Sequence, residues 1–417
     1  FRGLDILHQT SNLPAVCGRV CDKAKQCEGA CVLAREGGDA VAIGNLERFL
    51  GDWEVQQGLV QKRSQIRRPS TGKRVAVVGS GPSGLAVAAD LASLGHQVTL
   101  FESLPVVGGA LAWGIPAFRL PPSIVEAEIE RLVALGVEFK PNTKIGVDMT
   151  IDDLLARGYK AVFVGAGASV STGMGIPGED LKGVYTATEF LSRAKLSQLG
   201  KGGYARPEVG ERLAVIGAGN TAMDVAQTAL RLRDAMELPE LGDGHTAMDV
   251  AETALRLGFR QVTVVYRRSE AEMPARKEEV ESAKEEGTRF RFLTAPVRFT
   301  GKDGRVEAME CIEMELGKPD SRGRREPVPK PGTEFMLDVD TVIMALGYRP
   351  EPILAQTTKG LATQKGSQID ADPRTGRSGR EGIWCGGDIV SGADTVVRAM
   401  GAGKRAARDM DRYLNNL

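Results

Sequence analysis

Short apolar runs alternate along the chain with longer stretches whose apolar positions recur at helical spacing. The runs fall at residues 74–78, 98–101, 161–164, 213–216, 262–266 and 341–345. They are rich in Val, Ile and Ala, and several lead straight into glycine. Strands apolar on both faces are what a parallel sheet covered by crossover helices requires. Residues 124–136 carry apolar side chains at helical spacing and end on Gly136, a helix stop. The pattern predicts an α/β protein with Rossmann-like nucleotide-binding domains. Residues 1 to about 67 differ in texture and read as a helical, cysteine-bearing segment, with a linker at 61–73 around Pro69. Residues 303–335 are polar and hold Pro319, Pro327, Pro329 and Pro331, which predicts a hairpin and loop excursion.

Two of the apolar runs open into glycine loops. The first is followed by Gly79-Ser80-Gly81-Pro82-Ser83-Gly84 and a helical stretch, and the next run ends at Glu102. Gly79 suits a tight turn, Gly81 lets a pyrophosphate reach the backbone, and Gly84 permits close helix packing. The helix N-terminus then offers its partial positive charge to the phosphates, and a carboxylate at Glu102 accepts from ribose hydroxyls. The second loop is Gly217-Ala218-Gly219-Asn220-Thr221-Ala222, with Gly217 and Gly219 at the phosphates and Asn220 and Thr221 among the cofactor-binding residues. Its partner run ends in Tyr266-Arg267-Arg268, where the first unit has an acid. Guanidinium groups there accept a 2′-phosphate that a carboxylate would repel, so this unit is expected to prefer NADP(H).

Between these landmarks the chain repeats itself. Residues 217–232 and 242–257 match at thirteen of sixteen positions, at an offset of 25. Gly79 to Glu102 spans 23 residues and Gly217 to Tyr266 spans 49, so one copy is surplus. The first copy follows an apolar run; the second follows Leu238-Pro239-Glu240-Leu241, where the proline argues against a central strand. The expectation is a helical protrusion or a register-shifted helix, with a defect in the sequence record as the alternative.

Composition narrows the function. The chain of 417 residues holds 54 basic and 54 acidic side chains, a balance that gives no support to a nucleic-acid or membrane-surface role. No stretch is long and apolar enough for a membrane span. Residues 1–12 lack the features of a signal peptide, and the missing initiator Met suggests residues upstream. Four of six cysteines cluster at Cys17, Cys21, Cys27 and Cys31, which favours a metal site in a reducing, cytoplasmic setting over a disulfide scaffold. The tight spacing suits a cubane iron–sulfur cluster; zinc and four buried free thiols are the alternatives. Cys311 and Cys385 stand alone, so a dithiol reductase mechanism has no support, and His8, His96 and His245 form no catalytic pattern.

The cysteine block 17–31, the two glycine loops, Gly108-Gly109, residues 114–121, Val265-Tyr266-Arg267-Arg268, Met273-Pro274-Ala275, residues 345–348 and Gly386-Gly387-Asp388 together resemble the small (beta) subunit of NADPH-dependent glutamate synthase. The wider group includes the larger subunit of NADH-dependent ferredoxin:NADP oxidoreductase and the N-terminal half of dihydropyrimidine dehydrogenase. The resemblance implies a fold of the pyridine nucleotide-disulfide oxidoreductase type preceded by a small helical iron–sulfur domain. It implies FAD on Gly79, Gly81, Pro82, Ser83, Gly84, Glu102, Gly109, Leu111, Gly387, Asp388, Thr395 and Val396, and NADPH in the second unit. It also implies [4Fe-4S] clusters held by Cys17, Cys21, Cys27, Cys31 and, by spacing, Glu47, with Cys31 serving a different cluster from Cys21 and Cys27. Further cysteines would lie upstream, and Asp22 stands where the family usually has proline.

The expected organisation is a partial iron–sulfur domain and linker at 1–72 and an FAD domain at 73–205 and 341–417. An NADP domain at 206–340 carries the repeat. The expected function is an electron-input subunit that takes electrons from NADPH via FAD to iron–sulfur clusters and a larger electron-accepting partner, such as a glutamate synthase large subunit. A ferredoxin:NADP oxidoreductase or dihydropyrimidine dehydrogenase-type subunit is the alternative enzyme, and an inactive flavin-binding adaptor is the non-enzyme alternative. No acid–base residue is assigned.

Overall fold

The apolar runs become the strands of two parallel sheets. The computed structural model describes residues 2–59, 68–200, 203–237, 261–319, 323–364 and 366–417. In the first sheet the strand order is Ile383–Cys385, Ala161–Val164, Arg74–Val78, Gln97–Phe101, Glu138–Lys140, all parallel. In the second it is Val184–Thr186, Thr341–Met344, Arg212–Ile216, Gln261–Val265, Arg289–Arg291, again all parallel. Each glycine loop therefore leaves the middle strand of five. The register repeats as well: Val78 lies opposite Phe101 and Ile216 opposite Val265. The sheets belong to different units, one of residues 1–170 and 348–417, the other of residues 171–347.

Burial follows the two-residue period of a strand. Val75 and Val77 join one core with Leu85, Leu91 and Met410 from the helices Pro82–Ser93 and Val396–Asn415. Ala76 and Val78 face the opposite core with Ile151, Leu154 and Ile383. In the second unit Leu213 and Val215 pack on Met223 and Val225 of the helix Asn220–Glu237. Ala214 and Ile216 meet Val306, Met309 and Cys311 on the other face.

Of the hairpin and loop excursion expected over 303–335, the strands Arg305–Pro319 and Arg325–Pro329 form the hairpin, and the covering layer extends beyond it. That layer is an antiparallel sheet of Thr294–Lys302, Arg305–Pro319, Arg325–Pro329 and Phe335–Asp338. The strand Arg325–Pro329 tolerates Pro327 and Pro329 because it is an outer one, where a missing N–H costs no ladder bond. The helix expected at 124–136 spans Pro122–Ala134, and Gly136 follows at φ +86° with its N–H on the Val133 carbonyl at 2.9 Å. The first copy of the repeat lies in the helix Asn220–Glu237, directly behind its strand; the second, 242–257, lies outside the described residues.

Residues 2–59 form four α-helices, Arg2–His8, Pro14–Val20, Val32–Arg35 and Ile43–Gln56. The second and fourth cross at two glycines: a Cβ on Gly18 would stand 2.6 Å from the Arg48 nitrogen, and one on Gly51 2.5 Å from that of Ala15. Asn12 fastens this bundle to the first parallel sheet's helices. Its amide donates to Asp90 Oδ1 at 2.8 Å and its Oδ1 accepts from Lys404 Nζ at 2.6 Å, while Lys404 also reaches both Asp90 oxygens at 3.1 Å.

Candidate functional site

The first glycine turn is built by close contacts that only glycine allows. Gly79 has φ +94°, and a Cβ there would lie 2.5 Å from the Gly165 carbonyl oxygen. A Cβ on Gly84 would lie 2.0 Å from the Gly79 oxygen, so helix and turn are in contact. Gly81 is the opposite case: nothing stands within 4 Å of where its Cβ would be. It precedes Pro82 at the start of the helix Pro82–Ser93, whose first N–H groups have no intrahelical acceptor. Open space over an N-terminus with bare backbone is the cradle a pyrophosphate needs.

Other segments close round this turn. Gly109, at φ +56°, stacks against Gly81, where a Cβ would be 2.7 Å from the Gly81 Cα. Gly387, at φ +78°, stands against Ser83 Oγ, and the buried Ser83 carbonyl abuts Gly403 of the last helix. Leu111 is 1% exposed in the core, so its side chain serves packing. Glu102 is 6% exposed and accepts from Ser80 N at 3.1 Å, Ser80 Oγ, Ser103 Oγ at 3.0 Å and Leu104 N at 2.9 Å. Ser80 Oγ in turn accepts from Gly108 N at 2.8 Å and Gly109 N at 3.1 Å. Sequence reasoning passed over Ser80, although a hydroxyl between two loop glycines was the available signal.

Asp388 begins a short helical turn and accepts from Asp394 N at 3.3 Å. Burial, aided by the charge of Asp394, pushes its carboxyl up to about 7. Thr395 caps the twenty-residue helix that starts at Val396, and its Oγ1 is buried without a hydrogen-bond partner. The bare N–H groups of that first turn and the orphaned hydroxyl suit an electron-rich ring edge. Gly79, Gly81, Gly109, Gly387, Asp388 and Thr395 thus lie in one unit, with the 386–396 segment folded back onto the first glycine helix.

The second glycine turn repeats the design. Gly217 has φ +125° and a Cβ on it would lie 2.3 Å from the Ala345 oxygen, whereas nothing lies within 4 Å of Gly219's. Asn220 and Thr221 open the helix, and Asn220 Oδ1 accepts from Arg276 N at 2.9 Å. Beyond the neighbouring strand the two arginines part company. Arg267 is exposed, while Arg268 is 7% exposed and its Nε donates to the Arg325 carbonyl at 2.7 Å. Tyr266 is buried, its hydroxyl donating to the Glu272 carbonyl at 2.9 Å.

The cysteines divide. Cys17 and Cys21 are buried and hydrogen-bonded to each other, and that bond together with burial pushes the Cys17 thiol well up. Cys27 is raised by burial first, with the Glu28 and Glu47 carboxylates adding to it; Glu47 accepts from Ser11 Oγ at 2.9 Å and is itself raised by burial. Cys31 stands apart, its thiol lowered by N–H donors led by Val41 at 3.5 Å. Thiolates are the right donors for iron–sulfur chemistry. Among the described residues, however, no three or more His, Cys, Asp or Glu side chains are gathered as a metal-holding group. Cys311 and Cys385 are both buried, and burial pushes both thiols up, so neither is poised as a nucleophile. Among the described residues no helix is long and apolar enough to cross a membrane.

Two cradles of one design, each a glycine turn leaving the middle strand of a parallel sheet, define an oxidoreductase that binds two dinucleotides. The chain belongs to the pyridine nucleotide-disulphide oxidoreductase family, whose model matches residues 41–157 and 73–403, and within it to the group of glutamate synthase small chains. Residues 2–59 match a second model, dihydropyrimidine dehydrogenase domain II, 4Fe-4S cluster. The NADPH-dependent glutamate synthase small chain of Escherichia coli is 37% identical over 99% of this chain and 83% of its own length. The beta subunit of the NADP(+)-dependent formate dehydrogenase of Moorella thermoacetica is 39% identical over 99% of this chain, which spans only 56% of that relative. Among solved structures, FprA of Mycobacterium tuberculosis in complex with NADPH aligns with TM-score 0.66 and 24% identity, covering 84% of this chain and 85% of its own. FAD and NADPH are the cofactors of this enzyme class, and the two cradles fit them: bare backbone and open space at Gly81 and Gly219, and an orphaned hydroxyl at Thr395.

Proposed function

We propose that the chain is the electron-input subunit of an NADPH-oxidising flavoprotein that serves a larger electron-accepting partner, with glutamate synthesis the leading destination. The observation that carries the reading is the asymmetry of the two matching cradles: the first ends in the buried carboxylate Glu102, the second in the exposed guanidinium of Arg267. A carboxylate suits free ribose hydroxyls and a guanidinium suits a 2′-phosphate, which assigns FAD to the first and NADPH to the second. FAD, when bound, supplies the exchange between two-electron hydride chemistry and single-electron transfer.

The chain's own residues bind and orient. Gly79, Gly81, Pro82, Ser83, Gly84 and Gly109 form the wall for the flavin pyrophosphate, with Gly387 and Asp388 beside the ribityl chain. Thr395 and Val396 offer the helix N-terminus to the pyrimidine edge, where negative charge gathers on reduction. Gly217, Gly219 and Thr221 take the NADPH phosphates. Arg267 is the better placed of the two arginines for the 2′-phosphate, because Arg268 is turned inward to the Arg325 carbonyl. Cys17, Cys21, Cys27, Cys31 and Glu47 are the proposed iron–sulfur ligands, supported by the family match of residues 2–59.

The test is anaerobic titration of the FAD-loaded chain with NADPH and NADH, followed at about 450 nm, the band of oxidised flavin. Bleaching by NADPH well ahead of NADH is expected; no bleaching by either would leave the inactive-adaptor reading standing. For the partner, NADPH-dependent glutamate formation on mixing with a glutamate synthase large subunit is the expected result. Its absence, with flavin bleaching intact, would move the destination to another acceptor.

A further inference from the structure

The loop that carries Arg267 is tied back to the second glycine turn. Leaving the strand Gln261–Val265, the chain passes Arg267 and returns at 275–276 to the start of the helix Asn220–Glu237. Two hydrogen bonds make the return: Ala275 N donates to the Ala218 carbonyl at 3.2 Å, and Arg276 N donates to Asn220 Oδ1 at 2.9 Å. Within the loop Tyr266 Oη donates to the Glu272 carbonyl and Ser269 N donates to Glu272 Oε2 at 3.1 Å. Arg268 pins its middle to Arg325. The exposed Arg267 is therefore presented by a segment braced at both ends.

We infer that Asn220 is a positioning residue for coenzyme selectivity. It acts through Oδ1 on the Arg276 N–H, holding the 266–276 loop so that Arg267 stays at the 2′-phosphate. This rests on the reading of the second cradle as an NADPH site. The structure uses one atom of Asn220, an acceptor, which a carboxylate reproduces and an alanine does not. An amide that instead touched the nucleotide through its donor would be ruined by the same carboxylate. A new negative charge beside the pyrophosphate weakens NADP+ and NAD+ alike, so the readout is their ratio.

The experiment measures dissociation constants of NADP+ and NAD+ by calorimetry on the full FAD-loaded chain, for the wild type, Asn220→Ala and Asn220→Asp. Loss of one positioning hydrogen bond is worth roughly tenfold. Asn220→Ala should cut the NADP+ over NAD+ preference by about that factor, and Asn220→Asp should keep most of it. A second pair reads the same bond from its other end. Arg276→Pro removes the N–H at a residue whose φ of −68° already suits proline, whereas Arg276→Ala removes only the guanidinium. Arg276→Pro should follow Asn220→Ala, and Arg276→Ala should follow the wild type. An unchanged preference in Asn220→Ala, or an Asn220→Asp as poor as Asn220→Ala, overturns the inference while leaving the NADPH reading intact. A wild type with no NADP+ preference overturns both.

Discussion

At the scale of single residues, Asp388 is a carboxyl whose ionisation the fold moves well above its ordinary range. An unfolded aspartate ionises near about 4. Burial holds the folded carboxyl protonated up to about 7. Between those values the folded chain binds a proton that the unfolded chain has released, so this contribution to stability falls as pH rises through that window. It is fully present below the unfolded value and lost above the folded one. An amide in place of the acid would imitate the protonated form at every pH. In the FAD-free chain, Asp388→Asn should therefore melt with the wild type at pH 4 and about 2–4 °C above it at pH 8, allowing for solvent screening of a half-buried group. Parallel melting curves across that range would show that Asp388 is not the titrating group.

At the scale of elements, the bundle of residues 2–59 is held to the first parallel unit by side chains distant in sequence. Asn12 lies between the first two helices, Asp90 in Pro82–Ser93 and Lys404 in Val396–Asn415, and the Lys404 ammonium makes three hydrogen bonds to the other two. Lys404→Met keeps the aliphatic stem but leaves Asn12 Oδ1 without its donor and Asp90 with only the Asn12 amide, at a cost of about 1–3 kcal/mol. Hydrogen exchange should quicken in the helix Pro14–Val20 and hardly change in the strand Arg74–Val78. Equal acceleration in both would mean that the clamp serves the whole unit. This clamp was invisible in the sequence because nothing local marks a partner several hundred residues away. Strand, glycine turn and helix were legible because consecutive residues encode them: the run before Gly79, the open Gly81, the packed Gly84. The hairpin within 303–335 was legible, but not the full antiparallel layer, because its prolines sit on a strand that only the tertiary fold makes an outer one. The split between Arg267 and Arg268 was equally hidden, since adjacent residues at a strand end point to opposite sides and only packing decides which faces solvent.

At the scale of the whole molecule, the chain is two units, each with its own cradle, and ligand linkage should expose that division. A ligand that binds only the folded form stabilises it by about 2.7 kcal/mol at a hundred times its dissociation constant. For units of this size that corresponds to a rise of about 5–10 °C in the midpoint of the unit concerned. In calorimetry of the FAD-free chain, FAD should raise the melting of residues 1–170 and 348–417, and NADP+ that of residues 171–347. Gly81→Val supplies the internal control. Its added side chain meets no protein atom within 4 Å of the Cβ, so the unliganded chain should melt as the wild type does. The same side chain occupies the pyrophosphate's space, so the FAD response should vanish while the NADP+ response persists. If Gly81→Val also abolished the NADP+ response, the cradles would not be independent sites. If it left the FAD response unchanged, the flavin would have to bind somewhere other than the first glycine turn.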